Sequence, residues 1–406
     1  MIERSLLAPI IDLCFQSHKM AFVSGPRQCG KTTLAKMALG ERRAGAYHNW
    51  DDIEFRRQWA KSPRSLIPGA SRQVPLVVFD EIHKAHGWKR TLKGLYDTLE
   101  TLVDVLVTGS ARLNVYRKGS DSLLGRYHHF RLHPLSLREI EEPTIPSPHD
   151  FIERLFRRDL EFEPRRQDNL DALRRFGAFP EPFLARDDRR ARLWRASRVE
   201  RVIREDLRDL SRITELSRIE MLASLLTDRV GSLFSMTPLR ETLEVSLDTV
   251  RRWLASLKEL YYIFEIKPYT GSIARSIRKA GKVYLWDFSE VPGEAERFEN
   301  LVACHLLKTC HYWTDTGEGS FDLCFLRNKE QEEIDFLIVK DRKPWLPVEV
   351  KLSDPSPSDS WSRFLPRLPC RQGLQLIAAP GVWRIAERAD SRLLVSSAAE
   401  ALFYFA

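Results

Sequence analysis

The chain has 406 residues, 43% hydrophobic and 30% charged, the composition of a globular protein with room for about two to four domains. No run approaches the roughly 18 apolar residues of a membrane span, and no CxxC pair among Cys14, Cys29, Cys304, Cys310, Cys324 and Cys370 suggests a zinc site or a disulfide framework. The net charge of +8 allows a polyanionic partner; nucleic acid, DNA ahead of RNA, is the class it permits.

The first residues, MIERSLLAPIIDLCF, carry Glu3 and Asp12 and lack a small-residue cleavage pattern, so they read as an amphipathic helix and not a secretory signal. With unpaired cysteines, a reducing cytoplasm is the expected location. Short apolar runs then alternate with helical patterns: KMAFVSG, AYHNW, PLVVFDE, VDVLVTGSA and YHHFRLH, separated by helices at KTTLAKMAL, 51–61, 88–101 and 113–125. Five buried strands alternating with helices predict a three-layer α/β domain with a parallel sheet over residues 1–140.

Within that domain Gly25, Pro26, Arg27, Gln28, Cys29, Gly30, Lys31 and Thr32 spell a complete GxxxxGK[ST] loop, followed by Thr33, between a strand and a helix. Glycines let backbone N–H groups curl around phosphate oxygens, and the helix N-terminus adds favourable partial charge. The expected ligands are ATP and Mg²⁺, with Lys31 on the β- and γ-phosphates and Thr32 on the metal. The strand PLVVFDE ends in Asp80, a metal ligand in this reading, and Glu81, which would polarise the attacking water. Thr108 or Ser110, at the end of VDVLVTGSA, can sense the γ-phosphate or simply form a turn. Arg126, directly before the fifth strand, is a candidate finger completing a neighbouring subunit's site in a homo-oligomer, or else a salt-bridged surface residue; Arg112 and Arg117 are weaker candidates.

EEPTIPSPHD marks a linker at 141–150, and residues 141–228 read as a helical region. Its arginine runs are interleaved with acids, as in solvated helices with i,i+4 pairs, with a basic binding stripe as the alternative. Residues 229–290 predict a winged helix: a short helix at SMTPLRETLEV, then SLDTVRRWLASLKEL capped by Ser246 with a stripe of Val250, Leu254, Leu257 and Leu260, then strands YYIFEI and KVYLWDF around the basic loop GSIARSIRKAGK. Arg251, Arg252 and Lys258 on the second helix can touch phosphates or lie on an ordinary surface face.

Residues 291–406 predict a second α/β unit: the helix GEAERFENLVACHLLKTC, then strands FDLCFLR, EIDFLIVK, LPVEVKL and LQLIAAP. Glu349 and Lys351 lie two apart on one strand and so share a face, with Val348 and Val350 expected opposite. With Asp335 on the neighbouring strand and Glu299 on the preceding helix, they form the pattern of a Mg²⁺-dependent phosphodiesterase centre, Asp335 and Glu349 holding the metal and Lys351 orienting water. The bland alternative is an amphipathic strand whose Glu and Lys face water.

The ordered motifs GPRQCGKTTLAK, VVFDEIHK, TGSARL, SLLGRYHHFRLHPLSLRE, FGAFPEP, VIREDL, KVYLWDF, FENLVACHLLK, EIDFLIV and VEVKL resemble those of bacterial and archaeal AAA-type ATPases whose C-terminal half is a DUF4143 region. The resemblance covers nearly the whole chain. It implies a P-loop ATPase core, a helical region, a winged helix and a restriction-endonuclease-like, PD-(D/E)xK nuclease-like C-terminal fold. The strand YLWDFSEV departs from the family pattern, which continues with a Gly-Leu pair there; this alters a turn and not the chemistry. The resemblance does not imply that the C-terminal domain cuts nucleic acid. A nucleotide-dependent switch or scaffold that binds a partner without cleaving it is the alternative.

Overall fold

Five apolar runs near the N-terminus become five strands: β1 Met20–Ser24, β2 Gly45–Asn49, β3 Leu76–Asp80, β4 Asp104–Gly109 and β5 Tyr127–Arg131. The computed structural model describes residues 2–42, 44–69, 71–110, 123–207, 215–270, 279–388 and 390–406. Arg112, Arg117, most of the helix expected at 113–125 and the centre of the basic loop lie outside them. The chain divides into two units, Met1–Pro134 and Leu135–Ala406.

In the first unit all strand pairs are parallel, in the order β2-β3-β4-β1-β5. Every residue of β1, β3 and β4 is buried, which is why these strands read as continuous apolar runs and not alternations. Helix α1 (Lys31–Gly40) follows β1, α2 (Ile53–Lys61) follows β2, and α3 (Trp88–Asp97) follows β3. Asp52 caps α2 by accepting from the Glu54 amide at 2.8 Å. One core runs under the sheet through Phe22, Phe55, Trp59, Phe79, Trp88 and Leu92. Parallel strands place all their C-terminal ends along one edge, so the residues after Ser24, Asp80 and Gly109 are neighbours in space.

The second unit contains α4 (Pro164–Phe176), α5 (Asp188–Glu200), α6 (Leu216–Thr227), α7 (Met236–Leu243), α8 (Leu247–Glu259) and α9 (Glu294–Asp315). Ser246 caps α8, accepting from the Thr249 amide at 3.1 Å, and α8 buries Val250, Trp253, Leu254 and Leu257. Strands β6 Ile263–Pro268, β7 Lys282–Leu285, β8 Phe321–Arg327, β9 Glu333–Lys340, β10 Lys343–Lys351, β11 Gln372–Ile377, β12 Trp383–Arg388 and β13 Ser391–Ser397 form one sheet, ordered β12-β13-β11-β10-β9-β8-β6-β7.

Two features differ from expectation. The hairpin β6–β7 follows two helices as anticipated, but β6 also pairs in parallel with β8 through Lys267 and Pro268. It therefore extends the C-terminal sheet, and residues 229–290 and 291–406 share one layer. Apolar residues on both faces of the hairpin explain this: Tyr284 is fully buried and its ring lies 5.7 Å from that of Phe336 on β9. The sheet also gains β12 and β13, an antiparallel pair joined to β11.

Candidate functional site

The loop after β1 is held from three sides. Gly25 packs so closely that a Cβ there would sit 2.2 Å from the Leu132 carbonyl oxygen. Gly30 has φ of +101° and opens α1, a conformation in which a side chain would be strained. Arg4, buried, donates to the carbonyls of Cys29 and His133 at 2.5 Å each, and the Cys29 thiol lies 3.6 Å from the Leu132 carbonyl. Pro26 is buried, Arg27 and Gln28 are half-buried at the loop tip, and Thr33 is half-buried on the first turn of α1. Lys31 is 6% exposed and its ammonium donates to the Gly25 and Pro26 carbonyls at 3.0 and 2.7 Å.

Asp80 is fully buried at the end of β3 and collects four donors. Thr32 Oγ1 donates to Oδ2 at 2.7 Å, Tyr47 OH to the same oxygen at 2.6 Å, and Asn49 Nδ2 at 3.4 Å, while Thr108 donates to Oδ1. Burial, and then the bond to Asp80, pushes the Tyr47 phenol up to about 12, so it remains a donor. Glu81 adopts φ of +58° and its amide donates to the Thr108 carbonyl at 3.0 Å. Burial raises the Glu81 carboxyl above its ordinary value, against the pull of Lys31 and Lys84. Ser110 Oγ lies 3.2 Å from His83 Nε2, which is in turn 3.7 Å from Glu81. The structure thus brings together the loop, Thr32, Asp80, Glu81, Thr108 and Ser110. Sequence reasoning missed Arg4, Tyr47, Asn49 and His83; only the adjacency of β2 and β3 places Tyr47 and Asn49 beside Asp80.

Arg126 is not part of this assembly. Its carbonyl accepts from the amide of Met20, at the start of β1, whereas the loop follows the strand's other end, roughly 15 Å away. The guanidinium grips Asp97 at 2.6 and 3.1 Å, and that pairing, with Lys93, pulls the Asp97 carboxyl down to about 2.

In the second unit, Glu299 on α9, Asp335 on β9 and Glu349 and Lys351 on β10 also converge. The β9–β10 ladder ends here: Asp335 Oδ2 accepts from the Val350 amide at 2.9 Å, and Glu349 Oε2 from the Asp335 amide at 3.4 Å. Glu349 is buried, as are Val348 and Val350, so both faces of the strand are covered at this point and Glu349 does not face water as on an amphipathic strand. Lys351 sits 2.8 Å from Glu349. The centre is taken by a residue the sequence did not single out, Lys282 on β7, which is 3% exposed. Its ammonium pairs with Glu333, lies 3.5 Å from Glu299 and 3.8 Å from Asp335, and Tyr284 OH donates to Glu299 at 2.7 Å. Burial, then Asp335, raises Glu299 and Glu349 to about 7; burial raises Asp335 too. Burial alone would lower Lys282, but Glu299, Asp335 and Glu333 outweigh it and raise it. Among the described residues no group of three or more His, Cys, Asp or Glu side chains is arranged to hold a metal. The metal-holding arrangement expected of Asp335 and Glu349 is here a carboxylate–ammonium cluster, because the sheet carries β7 and its lysine into it.

A parallel sheet with a phosphate loop at the end of β1 and an Asp-Glu pair at the end of β3 defines a P-loop nucleotide-binding domain. Comparison with known families agrees: residues 17–141 match the AAA domain, residues 167–290 the domain of unknown function DUF8612, and residues 296–377 the domain of unknown function DUF4143. The chain is thus a P-loop protein with an N-terminal AAA domain and a C-terminal DUF4143 domain. Uncharacterized proteins of Mycobacterium bovis and Mycobacterium tuberculosis are each 23% identical over 287 residues, 71% of this chain; the chain spans 58% of their length. An uncharacterized Haemophilus influenzae protein is 21% identical over 76% of this chain and 80% of its own. Among solved structures, a Walker-type ATPase of Pyrococcus abyssi aligns with 73% of this chain and 96% of its own at 16% identity and a TM-score of 0.43. The Aeropyrum pernix ORC1 protein in complex with DNA aligns with 73% of this chain and 90% of its own at 16% identity and a TM-score of 0.30. No helix among the described residues is long and apolar enough to cross a membrane.

Proposed function

We propose that the chain hydrolyses ATP. The observation that carries this is the 2.7 Å contact between Thr32 Oγ1 and Asp80 Oδ2 beside a loop closed around the Lys31 ammonium. Two hard oxygen donors side by side fit Mg²⁺, and a loop in which Gly25 tolerates no side chain fits phosphate. Thr32 and Asp80 would hold the ion, which when bound neutralises charge on the phosphate oxygens. The backbone N–H groups of the loop from Gly25 to Thr33, Pro26 excepted, hold the triphosphate, and Lys31 exchanges two carbonyls for phosphate oxygens. Glu81 orients the water and takes its proton, helped by a carboxyl made more basic by burial. Ser110 reports through His83 on the group beside Glu81, while Thr108 is engaged with Asp80. Lys31→Ala should abolish ATP turnover; unchanged turnover in that variant would sink the reading.

Arg126 acts in this reading only across a subunit boundary, since it stands far from its own chain's loop. Mixing Arg126→Ala with Glu81→Gln should then recover turnover that neither variant has alone, and no recovery assigns Arg126 to its pair with Asp97.

For the second unit, nucleic acid is the partner class supported by the basic balance and by two helices followed by a hairpin. A nuclease-like role is supported by the order α9, the meander β8–β9–β10, a short helix and the parallel strand β11, with Asp335, Glu349 and Lys351 together. The Lys282 ammonium among those carboxylates favours binding without cutting. Incubating nucleic acid with the protein and Mg²⁺ or Mn²⁺, with and without ATP, separates the two: cleavage lost in Asp335→Ala would restore the nuclease reading.

A further inference from the structure

Between α8 and the β6–β7 hairpin lies a cavity of about 460 Å³, in the size range of sites that hold small ligands or single residues of a polymer. Its floor is apolar: Leu254 from α8, Val283 from β7, Phe234 from the segment entering α7 and Met236 from the first turn of α7. Its rim is basic: Arg251, Lys258, Lys267 and Lys279 face Glu265 as the lone carboxylate of the lining. The wall is rigid. The Phe234 amide donates to the Gly281 carbonyl at 2.8 Å, and Leu233 bridges Lys282. Backbone approaches so closely there that a Cβ on Gly281 would lie 2.6 Å from the Ile266 carbonyl oxygen.

Four cations against Glu265, with Asp248 pairing Arg251 from outside the lining, still leave a surplus of positive charge. Lys258 and Lys267 both pair with Glu265, and Lys267 also donates to the Lys279 carbonyl at 3.2 Å. Arg251, 58% exposed and paired with the exposed Asp248 one turn earlier on α8, and Lys279, also exposed, stand at the rim. An acidic peptide would satisfy the rim but leaves the aromatic and apolar floor unused. A nucleic-acid strand uses both, since phosphates meet the cations while a base lies against Phe234. We infer that this groove binds single-stranded nucleic acid, seating one base on Phe234 with its flanking phosphates on Arg251 and Lys279. This rests on nucleic acid being the partner class and gives that partner an address.

The test is fluorescence anisotropy of a labelled oligothymidine strand with the full chain, with the matching duplex, polyglutamate and thymidine monophosphate as competitors. All are run in the Lys31→Ala background so that the phosphate loop does not contribute. The double variant Arg251→Glu, Lys279→Glu should weaken strand binding at least about tenfold at low salt and flatten the salt slope. Phe234→Ala should cost about tenfold with the slope unchanged. The charge-conserving pair Arg251→Lys, Lys279→Arg should retain binding, and thermal melts check that each variant folds. Wild-type-like binding by both disruptive variants overturns the groove while leaving the nucleic-acid reading standing; no binding by the parent chain overturns both. Equal competition by polyglutamate overturns the strand in favour of an acidic protein segment. Duplex outcompeting strand, or thymidine monophosphate matching it, overturns the single-strand assignment.

Discussion

Replacing Lys282 with methionine removes a buried cation while keeping most of the side chain's volume. In the structure its ammonium stands 3.5 Å from Glu299 and 3.8 Å from Asp335 and pairs with Glu333. At an effective dielectric of about 20, each such pair is worth about 4–5 kcal/mol before solvation is counted. Desolvation of the ammonium takes back several, and losing one partner of a buried ionic cluster typically costs about 3–5 kcal/mol. The cost should depend on pH with a definite sign. Glu299 and Glu349 are raised to about 7 from 4.5, so in the wild type their contribution is full below about 4.5 and is lost as pH rises through about 7. Without Lys282 the Glu299 and Asp335 carboxyls rise further and the loss deepens. The variant should therefore fall about 3–5 kcal/mol below wild type near pH 8, but only about 1 kcal/mol near pH 5, where protonated carboxyls no longer repel. Urea unfolding followed by the emission of Trp286, Trp313 and Trp361, which lie in this unit, reads the difference. An equal penalty at both pH values would refute the account, since packing and not charge would then be responsible.

In that Lys282→Met background, Mn²⁺ should raise the thermal midpoint further than in wild type, where Thr32 and Asp80 can also take the ion; an equal shift in both would mean that removing the lysine opens no metal site. Glu81→Gln should retain ATP binding yet lose about 10²–10⁴-fold in turnover. With Glu81 raised by burial, the acid limb of the wild-type pH–rate profile should lie above the ordinary carboxylate range, as a base must be ionised to act, and that limb should vanish in the variant. Tyr47→Phe removes one donor from Asp80, about 1 kcal/mol, and should raise the Mg²⁺ concentration for half-maximal turnover without changing nucleotide affinity. Gly25→Ala drives a methyl into the Leu132 carbonyl and should lower the thermal midpoint and abolish protection by ATP.

The phosphate site was legible because its requirements are local. A loop of fixed spacing, glycines where backbone must turn, and an apolar strand ending in Asp-Glu are all contiguous in sequence. The groups that hold Asp80 were not: Tyr47 and Asn49 reach it from β2, and Arg4 reaches the loop from before β1. Such contacts follow from strand order, which no single segment encodes. The same limit explains Lys282. It stands at the head of KVYLWDF, where a lysine beside a basic loop looks like another surface cation. Only the parallel pairing of β6 with β8 carries it into the carboxylates. In VEVKL the expected shared face of Glu349 and Lys351 is present, since the two side chains meet at 2.8 Å, but the alternative of an amphipathic strand with Glu349 facing water is not, because neighbours on both sides bury Val348, Glu349 and Val350.

The strand β7 has only four residues, and it borders two sites. Val283 and the adjoining Gly281 and Ala280 line the basic groove, while Lys282 between them turns to the carboxylates. A ligand that shifts this strand alters the proton affinity of Glu299 and Asp335, and thermodynamic reciprocity requires the converse. If the groove's occupant moves β7, its binding should depend on pH, and occupancy should show itself as uptake or release of protons in a weakly buffered solution.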